Sequence, residues 1–337
     1  MIKECIQKLS SGENLSFDLA TSVMEDIMSG DATGAQIGAF VTALSIKGET
    51  PDEIAGMAGV MRSKSLRVKC DYPVIDTCGT GGDGSNSFNI STASAFAVAG
   101  AGVKVAKHGN RAMSGSSGSA DVLEALGANI NLGPNSVETC LNETGFGFMF
   151  AQRFHPSMKF AAGPRKEIGI RTVFNILGPL TNPAQAKFQL VGASNKAIAK
   201  KMIEVLRILK SKHSIVAYGE DGLDEISLSG KTHIWELKNG IINERSIKPS
   251  DLGLPLVDNA QIKIDNPDES AKILEQVLLG QDTAARYLVL ANAGAALVAA
   301  GKAESFIDGV AIATKSIDSG SALNVLRSYV KLSHTLT

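Results

Sequence analysis

Downstream of Cys70, strand-length apolar runs alternate with glycine-rich bends and helical stretches, and few folds accept that order. PVIDT precedes STASAFAVAG, VKVA precedes ADVLEALG, and FQLVG precedes NKAIAKKMIEVLRILK, with FGFMFA and SIVAY as further runs. Such alternation builds βαβ units, so a mainly parallel central sheet flanked by helices is expected. THIWELKNGIINERSI departs from it as a hairpin turning at Asn239–Gly240, where both residues tolerate positive φ. From about residue 267 the pattern is helical again.

The first 70 residues carry only helical spacing, in FDLATSVMEDIMSG, DATGAQIGAFVTALSIKGE and TPDEIAGMAGVMRSKSL. Thr50 caps the third helix, Pro51 opens it and Glu53 completes a capping box. The expected fold class is therefore α/β, a small all-helical domain plus a larger α/β domain, and 337 residues suffice for two. On the second helix Ile37, Phe40, Val41 and Leu44 form an apolar stripe. It serves either the core of the small domain or a subunit interface, and the limited core of so small a domain places it at or beside a dimer interface.

Charge and length exclude some partners. Lys and Arg number 33 against 34 Asp and Glu, a net −1, so no global field recruits nucleic acid or an anionic membrane. The start, MIKECIQKLSSGENLS, has no signal-peptide core, and YLVLANAGAALVAAG (287–301) is too short to span a membrane. Cys5, Cys70, Cys78 and Cys140 show no CxxC spacing, which suits reduced thiols and a cytoplasmic location.

Ligands of open α/β sheets gather at the carboxyl ends of the strands, and three bends fall there. In DTCGTGGDGSNSFNIST (76–92), Gly79, Gly81 and Gly82 let backbone N–H groups approach an anion, and Asn89, Ser91 and Thr92 stand at a helix start. The stretch reads as a phosphate cradle or as a tight turn with a helix cap. Asp83 in it suits ligand hydroxyls or the water shell of a cation. In VAKHGNRAMSGSSGSAD (105–121), Lys107, His108 and Arg111 bring cations beside Ser114, Gly115, Ser116, Ser117, Gly118 and Ser119. That mixture suits a diphosphate, the alternative being a solvated loop. His108 fits a neutral hydrogen-bonding role as well as a catalytic one.

In HPSMKFAAGPRKEIGIRTVFNILGPLTNP (155–183), Arg165, Lys166 and Arg171 supply positive charge. Arg165 either forks onto a carboxylate or pairs with Glu167 at a helix start. Asp224 and Glu225 in GEDGLDEIS form a solvated turn or, beside a phosphate cradle, oxygen ligands for Mg²⁺.

GTGGD, NIST, KHGNR, SGSADVLEALG, RTVFNILGPLTNP and LDEIS together resemble the anthranilate phosphoribosyltransferase family, in order and over most of the chain. The resemblance implies a nucleoside phosphorylase/phosphoribosyltransferase-like architecture. A helical domain, 1–70 with a returning segment near 168–186, would dimerise. A large domain, 71–167 and 187–337, would bind the sugar diphosphate and Mg²⁺. By motif matching, 5-phosphoribosyl 1-diphosphate would be held by Gly79, Gly82, Asp83, Ser87, Asn89, Ile90, Ser91, Thr92, Lys107, His108, Gly109, Asn110, Arg111, Ser114, Gly115 and Ser119. Anthranilate would meet Gly79, His108, Asn110 and Arg165, and two Mg²⁺ ions would use Ser91, Asp224 and Glu225. Ser116 stands where the family often has Lys, Gln152 where many members have Pro, and Ser87 where Thr is frequent. These departures alter the charge near the phosphate and the wall of the aromatic-acid channel.

The implied reaction transfers phosphoribose to the amine of anthranilate, releasing pyrophosphate, a step of tryptophan biosynthesis. Lys107 and the metal ligands would stabilise the leaving group, and no general base is required because an aromatic amine has its lone pair free at neutral pH. A pyrimidine nucleoside phosphorylase would need a nucleobase pocket, against RTVFNILGPLTNP and KHGNR. A non-catalytic nucleic-acid-binding relative would carry excess basic charge and lack LDEIS.

Overall fold

The computed structural model describes residues 1–112 and 115–336. Four helices come first: α1 (Ile2–Ser10), α2 (Phe17–Ser29), α3 (Gly34–Lys47) and α4 (Pro51–Lys64). α1, which lies outside the three stretches of helical spacing, buries Ile2, Cys5 and Leu9, with Ile6 packed beside them. Thr33 and Thr50 cap α3 and α4, each in a capping box, as expected for the latter. Glu53 also accepts from the Leu15 amide and pairs with Lys47 at 3.0 Å, so one buried carboxylate ties three parts of the bundle.

The α/β part runs β1 (Ile75–Gly79), α5 (Ile90–Gly100), β2 (Val105–Gly109), α6 (Ser119–Ala125), α7 (Pro134–Thr144), β3 (Phe146–Phe150) and α8 (Ala151–Phe154). The chain then returns to the bundle as α9 (Lys159–Ile168) and α10 (Phe174–Leu177). It re-enters the sheet with β4 (Phe188–Gly192), α11 (Lys196–Ile208), β5 (His213–Gly219), β6 (Thr232–Lys238) and β7 (Ile241–Ile247). Four helices close it: α12 (Pro267–Leu278), α13 (Ala284–Ala299), α14 (Phe306–Asp318) and α15 (Ser321–Ser333).

The described strands form one sheet in the order β3-β2-β1-β4-β5-β6-β7. β1 to β5 are parallel, and β6 and β7 are the antiparallel hairpin, turning at Asn239 (φ 51°) and Gly240 (φ 83°). Strand order reverses between β1 and β4, which makes their carboxyl ends the switch point where such sheets bind ligands.

Each sheet face has its own core. One is filled by α5, α6 and α12 to α15, with Phe96, Phe146 and Tyr329 among its buried rings. The other joins Val191, Val216 and Trp235 of the sheet to α11, the bundle, and Ala161, Phe174 and Leu177 of the returning segment. In this second core Ile37, Phe40, Val41 and Leu44 are buried against the chain's own helices. The stripe expected at a dimer interface is thus internal, because α1 and the returning α9 cover α3. Full burial of each such side chain contributes about 1.5–3 kcal/mol, enough for a small bundle to consume the stripe itself.

Candidate functional site: a phosphate cradle at the switch point

The bend after β1 carries consecutive glycines in the left-handed region, Gly81 at φ 63° and Gly82 at φ 69°. That conformation, costly for any side chain, turns amide and carbonyl groups to opposite sides of the loop. The Gly81 amide donates to Asp224 Oδ2 at 2.7 Å. The Gly81 and Gly82 carbonyls accept from Arg171 Nη2 (3.1 Å) and Nη1 (2.7 Å). A Cβ at Gly79 would stand 2.6 Å from the Asp224 carboxylate, and one at Gly192, at the end of β4, would run into the Asp224 carbonyl. Glycine at both strand ends therefore admits the 220–231 loop to the switch point.

Asn89 joins the first two bends. Its amide nitrogen donates to the Ser117 carbonyl (3.0 Å), and its oxygen accepts from the Ser117 and Ser270 hydroxyls, both at 2.7 Å. Ile90 opens α5, and Ser87 forms a bridge with Lys263. The Thr92 hydroxyl is buried at the first turn of α5 without a hydrogen-bond partner, as is His108 Nε2. A buried polar atom left unpaired costs about 1–3 kcal/mol, which a ligand would recover.

Lys107 lies on β2, 1% exposed. Its ammonium donates to the Thr77 carbonyl and to Ser91 Oγ, the latter at 3.2 Å. Burial pulls its pKa down, while the charges of Asp76, Cys78 and Glu225 oppose the shift. Burial pushes Asp224 up to about 8 with help from the Asp83 charge, and burial with Asp224 pushes Glu225 well above the usual carboxylate range. Asp83 also accepts from the Asp224 amide at 3.4 Å. A cation would relieve carboxylates so placed.

Among the described residues no three His, Cys, Asp or Glu side chains stand together as a complete metal cage. Two carboxylates beside a hydroxyl instead match Mg²⁺, which takes few protein ligands and completes its shell with phosphate and water.

Behind the cradle lies a buried network that the motifs did not disclose. Asp76 of β1 accepts from Asn182 Nδ2 at 2.7 Å and from the His108 amide at 3.2 Å, and Asn182 also donates to the Ala106 carbonyl. Burial raises Asp76 to about 6. His108 Nδ1 donates to the Gly178 carbonyl at 3.1 Å, and burial holds its pKa near 3, so the ring is neutral. His155, also neutral with a pKa lowered to about 4 by burial, packs its ring 5.0 Å from His108. The GPLTNP segment thus fixes the strand bearing Lys107 and His108, a role spread over residues too far apart in sequence to be paired beforehand.

The second bend turns inward on itself. Asp121 accepts from the Ala112 and Gly118 amides at 2.8 and 2.9 Å and from Arg111 at 3.0 Å, and Arg111 forks onto Glu124. Asn110 is exposed, its oxygen accepting from the Arg111 amide. Gly109 packs against Ser119, Gly115 faces Asn86, and Ser116 is partly buried. Ser114 lies outside the described residues. Gln152 is exposed on α8.

Arg165 sits near the carboxyl end of α9, not at a helix start, because the helix runs through Pro164. Its guanidinium lies 5.0 Å from the centre of the Phe174 ring, and burial lowers its pKa.

A model of the glycosyl transferase family, a/b domain, matches residues 71–323, and one of that family's helical bundle domain matches residues 3–65. An anthranilate phosphoribosyltransferase of Dehalococcoides mccartyi is 52% identical over 338 residues, covering 100% of this chain and 99% of the relative. The crystal structure of the Thermus thermophilus enzyme superposes with a TM-score of 0.93 at 38% identity, covering 98% of this chain and 99% of that one. The Saccharomyces cerevisiae enzyme in complex with PRPP and Mg reaches a TM-score of 0.91 at 28% identity over 99% and 98% of the two chains. With bundle, switch-point cradle and full-length likeness in agreement, the chain belongs to the anthranilate phosphoribosyltransferase family.

Proposed function

We propose that the two glycine and serine bends hold the diphosphate of 5-phosphoribosyl 1-diphosphate, with anthranilate entering beside His108 and Arg165. The activity is transfer of the phosphoribosyl group to the amine of anthranilate, giving N-(5-phosphoribosyl)anthranilate and pyrophosphate in tryptophan biosynthesis. The convergence of Lys107, Ser91, the orphaned Thr92 hydroxyl and the Asp224–Glu225 pair from separate segments carries this reading.

In the transfer, the amine nitrogen bonds to C1 of the ribose as the C1–oxygen bond to diphosphate breaks, and the nitrogen sheds its proton afterwards. Lys107 meets negative charge growing on the leaving oxygen, aided by amides at the start of α5. His108, a neutral ring held by Gly178, contributes a buried Nε2 open to a hydrogen bond rather than a strong base. Arg165 orients the anthranilate carboxylate through a charged pair, and Gly79 and Asn110 line the same side. Much of the acceleration then rests on holding amine and C1 in line.

Asp224, Glu225 and the Ser91 hydroxyl would hold Mg²⁺, two ions in this reading, which would supply charge neutralisation for the diphosphate. The Mg-bound and PRPP-bound yeast relative supports it. The helical bundle is assigned to a homodimer, supported by the groove between α1 and α3 where Ile46 is 82% exposed beside Ala39 and Ala43. The cytoplasm, expected from four unpaired thiols, is its proposed location.

Incubation with anthranilate, 5-phosphoribosyl 1-diphosphate and Mg²⁺ should quench anthranilate fluorescence, with no loss when Mg²⁺ is chelated. Persistent fluorescence in the complete mixture would overturn the activity. Sedimentation of the same preparation is expected to give a dimer, and a monomer would remove that assignment.

A further inference from the structure

We infer that Arg171 is a positioning residue that props the glycine loop from behind and makes its diphosphate-binding shape depend on where the helical bundle sits. The inference rests on the cradle reading above. Arg171 lies between α9 and α10, on the segment that returns to the bundle. Its backbone carbonyl accepts from Ser45 of α3 at 3.4 Å, and the adjacent Thr172 amide is pinned by Asn175 at 2.9 Å. Val173 and Phe174, the residues that follow, are buried in the core shared by bundle and sheet. The root of this side chain is therefore anchored beside the bundle.

Its tip belongs to the other domain. The guanidinium donates to the carbonyls of both left-handed glycines, Gly82 at 2.7 Å and Gly81 at 3.1 Å, and occupies the space where a Cβ of Gly82 would project. Two adjacent carbonyls fixed on one side hold the intervening peptide in one orientation. The opposing tie is the Gly81 amide on Asp224 at 2.7 Å. The loop is thus clamped between a cation from the bundle and a carboxylate from the metal-binding turn.

Nothing bulky replaces the guanidinium if it is removed. Arg171 borders a cavity of about 420 Å³ lined also by Ser45, Glu49, Asn175, Asn195 and Lys201. Without the fork, the loop carbonyls can rotate toward that space and take the amides of Gly82 and Asp83 out of register with the diphosphate. Planar recognition of two carbonyls is a guanidinium property, so Lys can satisfy one carbonyl and only part of the effect.

The test measures both KM values, kcat and thermal stability for Arg171→Gln and Arg171→Lys, with Lys107→Met as a reference. Arg171→Gln is expected to raise the KM for 5-phosphoribosyl 1-diphosphate about tenfold, the size of one lost charged hydrogen bond, with the anthranilate KM within twofold of wild type. Arg171→Lys should fall between. If Lys107→Met weakens the sugar diphosphate and Arg171→Gln does not, the positioning role is overturned while the cradle stands. If neither variant affects it, both are overturned. An equal loss for both substrates with a lowered Tm would make Arg171 a general structural residue, also against the proposal.

Discussion

The two bends of the proposed cradle are neighbours in the sheet, alike in composition and joined through Asn89 and Ser117, yet most of their other ties differ in origin. The bend after β2 closes on itself. Asp121 gathers the Ala112 and Gly118 amides and Arg111, all within ten residues. The bend after β1 is shaped from outside. Arg171 holds its carbonyls, Asp224 its Gly81 amide, and residues 262–264 pair with Asn86 and Phe88. A loop capped by its own carboxylate keeps its form wherever the domains move. One clamped by distant segments responds to those segments, which suits a bend proposed to meet substrate and metal together.

The largest effect should come from removing the outside support that also bears charge. Asp224→Asn combined with Glu225→Gln keeps an oxygen acceptor for the Gly81 amide, so the fold should persist. Turnover should fall at least ~10²-fold, and each single variant should need more Mg²⁺ for half-maximal rate. Wild-type turnover and Mg²⁺ dependence in the double variant would leave the pair without a metal role.

A smaller, local effect is expected from Asp121→Ala. Two backbone amides lose their acceptor at once, costing about 1–3 kcal/mol in urea unfolding and raising the KM for the sugar diphosphate. Unchanged stability would mean that the Asn89 tie to Ser117, and not Asp121, holds the second bend, which would erase the contrast.

The smallest should be Arg111→Gln. Its guanidinium is 43% exposed while pairing with Asp121 and Glu124, and exposed pairs contribute about 0–1 kcal/mol. Stability should therefore barely move, and a rise in the sugar diphosphate KM would report Arg111 leaving its carboxylates for substrate. A stability loss as large as that of Asp121→Ala would transfer the capping role to Arg111.

Much of the architecture was legible because its signals are local. The capping box at Thr50, the Asn239–Gly240 turn and the strand-to-glycine-to-helix order each depend on a few adjacent residues. Some local signals misled. Arg165 reads as a candidate helix-start residue, yet α9 begins at Lys159 and continues through Pro164, with α2 and α3 packed along it. The Phe40–Leu44 stripe, expected at or beside a dimer interface, is core, because periodicity tells that a face is apolar and not what covers it.

The residues of the proposed cradle stand in motifs that the sequence displays, whereas the contacts supporting them are not displayed there. Asp76 and Asn182 are both buried, 106 positions apart, and fix His108 through hydrogen bonds that only the packed sheet brings together. Arg171 stood out as a basic residue with no role until the returning segment laid its guanidinium on Gly81 and Gly82. Sequence by itself determined the helical bundle, the parallel sheet, the glycine bends and the chemistry available at them, because propensity, capping and backbone freedom act within a few residues. Tertiary structure alone decided which carboxylates are crowded together, which histidines stay neutral and which arginine holds the loop. Burial and long-range hydrogen bonds exist only once distant segments meet.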